Sequence, residues 1–78
     1  MKIEVLGTGC PKCKKLYAEA EKAIAKAGVA ATLTKVEKID EILAHGVMMT
    51  PALVIDGKVR ATGKVIGADE IASWIREP

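Results

Sequence analysis

The hydrophobic positions of this chain change their period several times, and each change marks an element. In residues 2–6, KIEVL, Ile3 and Val5 alternate with Lys2 and Glu4, the two-residue period of a strand, and Gly7 and Gly9 end the run. On that alternation Glu4 points outward, away from the core. From Lys14 the spacing lengthens: Leu16, Ala20, Ala23, Ile24 and Ala27 recur at helical intervals, Lys15 and Glu19 stand at i,i+4, and Gly28 supplies the stop. The pattern predicts an amphipathic helix that opens at the cysteine pair of GTGCPKCKKL, residues 7–16. AATLTKV (30–36) reads as a second strand, and EKIDEILAHG (37–46) as a short helix with Ile39, Ile42 and Leu43 inward and Gly46 at its end. PALVIDGKVRAT (51–62) is a hairpin turning at Asp56-Gly57. A last helix begins at Ala68 or Asp69 and puts Ile71, Trp74 and Ile75 on one face. The order is therefore βαβαββα, and a strand, a long crossover and a strand predict a parallel pair.

Composition makes this a small aliphatic domain. The 78 residues are too few for a second lobe, so a single domain over residues 1–78 is expected. Half the residues are hydrophobic, yet there is no Phe, one Tyr and one Trp, which leaves Val, Ile, Leu and Ala to form the core. The net charge is +2 with both signs interspersed, and aromatic groups that stack on bases are nearly absent, so no nucleic-acid partner is expected. The longest apolar run, VMMTPALVI (47–55), is broken by Thr50 and Pro51 and is too short for a membrane span. Met1-Lys2 leads straight into a strand rather than an apolar signal core, so a cytoplasmic location and no membrane partner are expected. The protein is expected to be a monomer.

Chemistry concentrates at Cys10 and Cys13. A staple is a poor reading of this pair, since closing so short a loop removes little entropy from the unfolded chain. In a reducing compartment a CxxC pair points instead to catalysis or metal binding. Stepping the helix stripe back from Leu16 and Tyr17 puts Cys13 on the inward face and Cys10 at the tip. There, unpaired backbone amides and the positive end of the helix dipole favour a thiolate, and Lys12, Lys14 and Lys15 add positive charge. Cys10 is the expected nucleophile and Cys13 the resolving thiol. Pro11 fits the first helical position, where its missing N–H is not needed, and stiffens the loop. Three alternatives stand beside this one. A metal-transfer module of the heavy-metal-associated type also carries CxxC between its first strand and first helix, and two thiolates suit Cu(I), but its chain ends in a strand. A structural zinc site needs four ligands, with only His45 to join the two cysteines. The third is an interaction domain with idle thiols. Other residues are read as structural: His45 as a surface residue compensating a helix dipole, Tyr17 as core edge and Trp74 as packing, while Met48 and Met49 suit an adaptable apolar surface for partners and ordinary packing equally well.

A strand, a CxxC at a helix start, Thr50-Pro51 opening a hairpin and a closing helix together resemble the thioredoxin and glutaredoxin family in its smallest form, over essentially the whole chain. The resemblance implies a minimal thioredoxin fold of the α/β class, with a central four-stranded mixed sheet and helices on both faces. It implies thiol–disulfide exchange with no bound cofactor and no metal, and disulfide-containing proteins as substrates. CPKC is closer to the Cys-Pro-aromatic-Cys box of glutaredoxins than to Cys-Gly-Pro-Cys, with Lys12 in place of the aromatic residue. In the family the Thr-Pro bond is cis and packs against the disulfide, which assigns Thr50 and Pro51 to the substrate-facing wall. VIGADEI (65–71) resembles the Gly-Gly-x-Asp segment that holds glutathione, reduced here to Gly67. For glutathione, the alternative donor, Lys12, Lys14, Lys15 and the start of the last helix would be the anion-binding groups. The single Gly67 and the resolving Cys13 favour a flavoprotein donor of the thioredoxin-reductase kind, with a potential of roughly −200 to −270 mV.

Overall fold

The computed structural model describes residues 1–77. Its elements are β1 (Lys2–Leu6), α1 (Pro11–Ala27), β2 (Thr32–Val36), α2 (Ile39–Ala44), β3 (Ala52–Ile55), β4 (Lys58–Thr62) and α3 (Ala68–Ile75). The strands form one mixed sheet in the order β2-β1-β3-β4. β1 runs parallel to β2, and β3 is antiparallel to both β1 and β4. This is the α/β arrangement of a minimal thioredoxin fold, and every element expected from the residue pattern is present.

Local chemistry explains the boundaries. α1 is capped by Cys10, begins with Pro11 at a position that needs no N–H, and ends where Gly28 adopts φ 68° and donates its N–H to the Ile24 carbonyl at 3.1 Å. The hairpin between β3 and β4 turns through Asp56 (φ 48°) and Gly57 (φ 82°), the two left-handed residues that suit a two-residue connection. Asp56 also ties down the start of β1, its side chain accepting the Lys2 N–H at 2.8 Å while its own N–H goes to the Lys2 carbonyl at 2.8 Å. β4 carries a bulge: Ala61 pairs with Leu53 and Val59 with Val54, which leaves Arg60 as the extra residue. Its guanidinium lies over the Trp74 ring and donates to Glu77 at 2.9 Å, tying the edge strand to α3.

The sheet is covered on both faces, and the covers differ. Ile3, Val5, Leu53, Ile55 and Ala61 pack with Leu16, Ala20 and Ala23 of α1 and Ile71, Ala72 and Ile75 of α3. Tyr17 and Trp74 close the margin of this core, as expected of them. The opposite face holds a smaller cluster, Leu6, Val36, Ile42, Val47, Ala52 and Val54, under α2.

The smaller face corrects three expectations. Glu4 is buried, 8% exposed, because β1 is an inner strand and its second face is covered by α2 rather than open to solvent. His45 turns toward it, with Nε2 3.8 Å from Glu4 Oε2, so it is a half-buried partner of that carboxylate rather than a surface residue. In α2 only Ile42 is buried; Ile39 and Leu43 are 64% and 53% exposed, since a six-residue helix lying on the sheet presents one turn's worth of contact. The Lys15–Glu19 spacing is not used as a pair either: Glu19 bonds Lys22 at 3.2 Å. Among the described residues no helix is long and apolar enough to cross a membrane.

Candidate functional site

The site is the junction of β1 and α1, and it is built by a helix cap. Cys10 has the extended backbone of an N-cap (φ −67°, ψ 163°), and its carbonyl accepts the first helical bond from Lys14 N–H at 3.1 Å. Its sulfur accepts the Cys13 backbone N–H at 3.3 Å, the bond a serine hydroxyl makes when it caps a helix. Three residues of helix then bring the Cys13 side chain round to the same end, so the two sulfurs lie 2.6 Å apart, within reach of disulfide closure. Both cysteines are free thiols here.

The two thiols sit in unlike surroundings. Cys10 is half-buried, whereas Cys13 is 6% exposed. The hydrogen bond from the Cys13 thiol, followed by that from the Cys13 backbone N–H, holds the Cys10 thiol below its ordinary pKa. Cys13 moves the other way, pushed up first by burial and then by the hydrogen bond it gives Cys10. The side chains of Lys12, Lys14 and Lys15 stand in solvent, and hydrogen bonding at the cap, not their charge, carries the shift of Cys10.

The Thr50–Pro51 peptide bond is cis, as the resemblance implied. Thr50 is exposed and Pro51 buried, and the Pro51 carbonyl accepts the Gly63 N–H at 2.8 Å. Met48 and Met49, just before Thr50, are 87% and 62% exposed and form apolar surface. Between Thr50 and Cys13 lies Gly7: a Cβ built on it would sit 3.9 Å from Thr50 Cβ and overlap the Cys13 sulfur. Behind Cys13 a small pocket is walled by Gly7, Lys14, Lys35 and Glu37, with the Lys35 ammonium 4.7 Å from the centre of the Tyr17 ring. Gly7, Lys35 and Glu37 were not singled out from the sequence. The available signal for Gly7 was a glycine at the end of a central strand, a mark of close approach by another group.

At the start of α3, a candidate anion site, the first N–H already faces a carboxylate. Glu19 Oε1 accepts the Ala68 N–H at 3.0 Å, a bond that leads the causes holding the Glu19 carboxyl below its ordinary range, and Asp69 pairs with Lys26. Gly67 is the N-cap of that helix and offers no side-chain acceptor. Among the described residues the additional ligands that a structural zinc site needs are not assembled beside the two cysteines. His45 is turned to Glu4, and among the described residues no group of three or more Cys, His, Asp or Glu side chains converges to hold an ion.

A free dithiol at the tip of a helix, one sulfur half-exposed and the other buried behind it, is the arrangement that thiol–disulfide exchange requires. The chain belongs to the thioredoxin family: the family's Thioredoxin domain matches residues 1–76. It is similar to a thioredoxin of Methanothermobacter thermautotrophicus, 37% identical over 71 residues that cover 91% of this chain and 92% of that protein. It is also similar to a thioredoxin of Methanocaldococcus jannaschii, 38% identical over 74 residues that cover 95% and 85% of the two chains.

Proposed function

We propose that the protein, acting as a single thioredoxin-like domain, reduces disulfides of protein substrates through the Cys10/Cys13 couple. The Cys10 thiolate attacks a substrate disulfide and forms a mixed disulfide. Cys13 then attacks Cys10 Sγ, releases the reduced substrate and leaves the internal disulfide, which a donor must reduce. One observation carries this reading: the half-exposed Cys10 sulfur accepts the Cys13 backbone N–H while the buried Cys13 sulfur waits 2.6 Å away. Pro11 sets the first helical turn, and Lys12 stands in solvent beside the sulfurs, where it meets incoming substrate. Thr50 and Pro51 form the wall along which an extended substrate segment lies.

The donor is a flavoprotein of the thioredoxin-reductase kind. Glutathione is an anion, and of the groups that would hold it the exposed Lys12, Lys14 and Lys15 are open, whereas the Ala68 N–H at the start of α3 already meets the Glu19 carboxylate, which would repel it. Two experiments test the whole. Cys13→Ser should accumulate a mixed disulfide with a protein substrate, visible on a non-reducing gel, and Cys10→Ser should form none; a trapped adduct through Cys13 in Cys10→Ser would reverse the two roles. Oxidised protein should turn over with a thioredoxin reductase and NADPH. Rapid turnover with glutathione, glutathione reductase and NADPH, and none with the thioredoxin reductase, would make glutathione the donor.

A further inference from the structure

Of the seven glycines in the chain, Gly9, Gly28, Gly46, Gly57 and Gly63 occupy positive φ, and a Cβ on Gly67 would meet nothing within 4 Å. Gly7 belongs to neither group. Its φ is one that any residue adopts, and it continues β1 by donating its N–H to the Val36 carbonyl at 2.9 Å. Conformation therefore permits a side chain here, and space forbids one. Gly7 is buried, and a Cβ on it would overlap Cys13 Sγ and stand 3.2 Å from Cys13 Cβ.

We propose that Gly7 is a positioning residue for the resolving thiol: the space left by its missing side chain is the seat of the Cys13 sulfur, and it holds that sulfur against Cys10. The inference rests on the reading of Cys10 and Cys13 as the reacting couple. The backbone of Cys13 has little freedom to retreat from a methyl group at position 7. Its helix is fixed to the sheet by Leu16, Ala20 and Ala23, each 0% exposed, and its own side chain is buried. Rotating the Cys13 side chain or lifting the first turn of α1 would make room, and either movement draws Cys13 Sγ away from Cys10 Sγ. The step affected is resolution. In that step the Cys13 sulfur, having given up its proton, forms a bond to Cys10 Sγ. The bond between Cys10 and the substrate sulfur breaks, its electron pair leaves on the substrate sulfur, and that sulfur takes up a proton. Two electrons pass from the dithiol to the substrate disulfide. The first attack, by Cys10 alone, does not use the seat.

The experiment separates the two steps with dithiobis(nitrobenzoate) as substrate. Attack by Cys10 releases one coloured thionitrobenzoate, and resolution by Cys13 releases a second. Wild-type protein should release both. In Gly7→Ala the first release should remain within about twofold while the second slows by about 10- to 100-fold, the scale on which a displacement of about an ångström acts on an intramolecular step. An unchanged second phase in Gly7→Ala overturns the proposal while leaving the dithiol reading intact. A single equivalent from the wild type overturns the couple itself, and the proposal with it. Should Gly7→Ala prevent folding, the same substitution in the Cys13→Ala background decides: removal of the sulfur should restore a cooperative urea unfolding transition, and failure of the double variant to fold overturns the proposal.

Discussion

The sheet face under α1 and α3 and the face under α2 are lined by the same kinds of strand residue and differ in what covers them. On the first, two helices close over a continuous core that includes Ile3, Val5, Leu16, Leu53 and Ile71. On the second, a six-residue helix contributes Ile42 alone, leaves Ile39 and Leu43 in solvent, and shares the space beneath it with the Glu4–His45 pair. The two cysteine sulfurs of the proposed couple stand at the start of the helix that belongs to the heavier face. The proposed couple is thus mounted on the helix with the more extensive packing, and the face under the short helix carries no part of it.

That contrast can be broken or sharpened by measurement. The largest effect should come from Leu16→Ala, which opens a cavity where α1 meets the sheet and should cost about 3 kcal/mol in urea unfolding. Ile42→Ala on the lighter face should cost less, about 2 kcal/mol, because a short helix with solvent beside it can settle into the gap. If the two losses came out in the reverse order, the α2 face would be the mechanical support of the fold and the comparison would fall.

Smaller is the change expected in the titration of Cys10, read from the pH dependence of iodoacetamide alkylation. The rate follows the thiolate, so its inflection in the wild type should lie below the ordinary thiol value of about 8.5. Cys13→Ala removes the leading cause of that shift, so the inflection should move up, yet stay below the ordinary value because the backbone N–H at position 13 remains. An inflection that moved down would mean that Cys13 hinders the Cys10 thiolate. The smallest effects should be Ile39→Ser and Leu43→Ser, each within about 0.5 kcal/mol of wild type in the same unfolding assay, because neither side chain is covered.

Sequence specifies structure most directly where one residue type answers one local requirement. Pro11 and Gly28 at the two ends of α1, and Asp56-Gly57 between β3 and β4, are such residues, and each stands where expected. The placement of Cys10 at the tip and Cys13 inward follows from helical geometry alone. Sequence falls short where a residue's surroundings come from distant segments. Glu4 alternates with apolar neighbours, which fits a strand with one wet face; only the sheet order shows that both faces of β1 are covered. Ile39 and Leu43 have the spacing of an inward stripe, and whether a helix that short buries it depends on what lies opposite. Glu19 at the start of α3 spans 49 residues of sequence, and no period within either helix announces it.

One feature of the sheet bears on how copies of the protein meet. Its two edges are β2, with Lys35, and β4, with Lys58, Arg60 and the bulge that Arg60 makes. An unpaired strand edge is a template for another strand, so two copies brought edge to edge would extend one sheet into the next. Lys35 on one edge and Lys58 on the other make any such approach a meeting of like charges, and the bulge at Arg60, whose own charge is paired with Glu77, spoils the straight ladder that continued pairing needs. The expected result is a protein that can be concentrated, or freed of salt, without stacking into fibres.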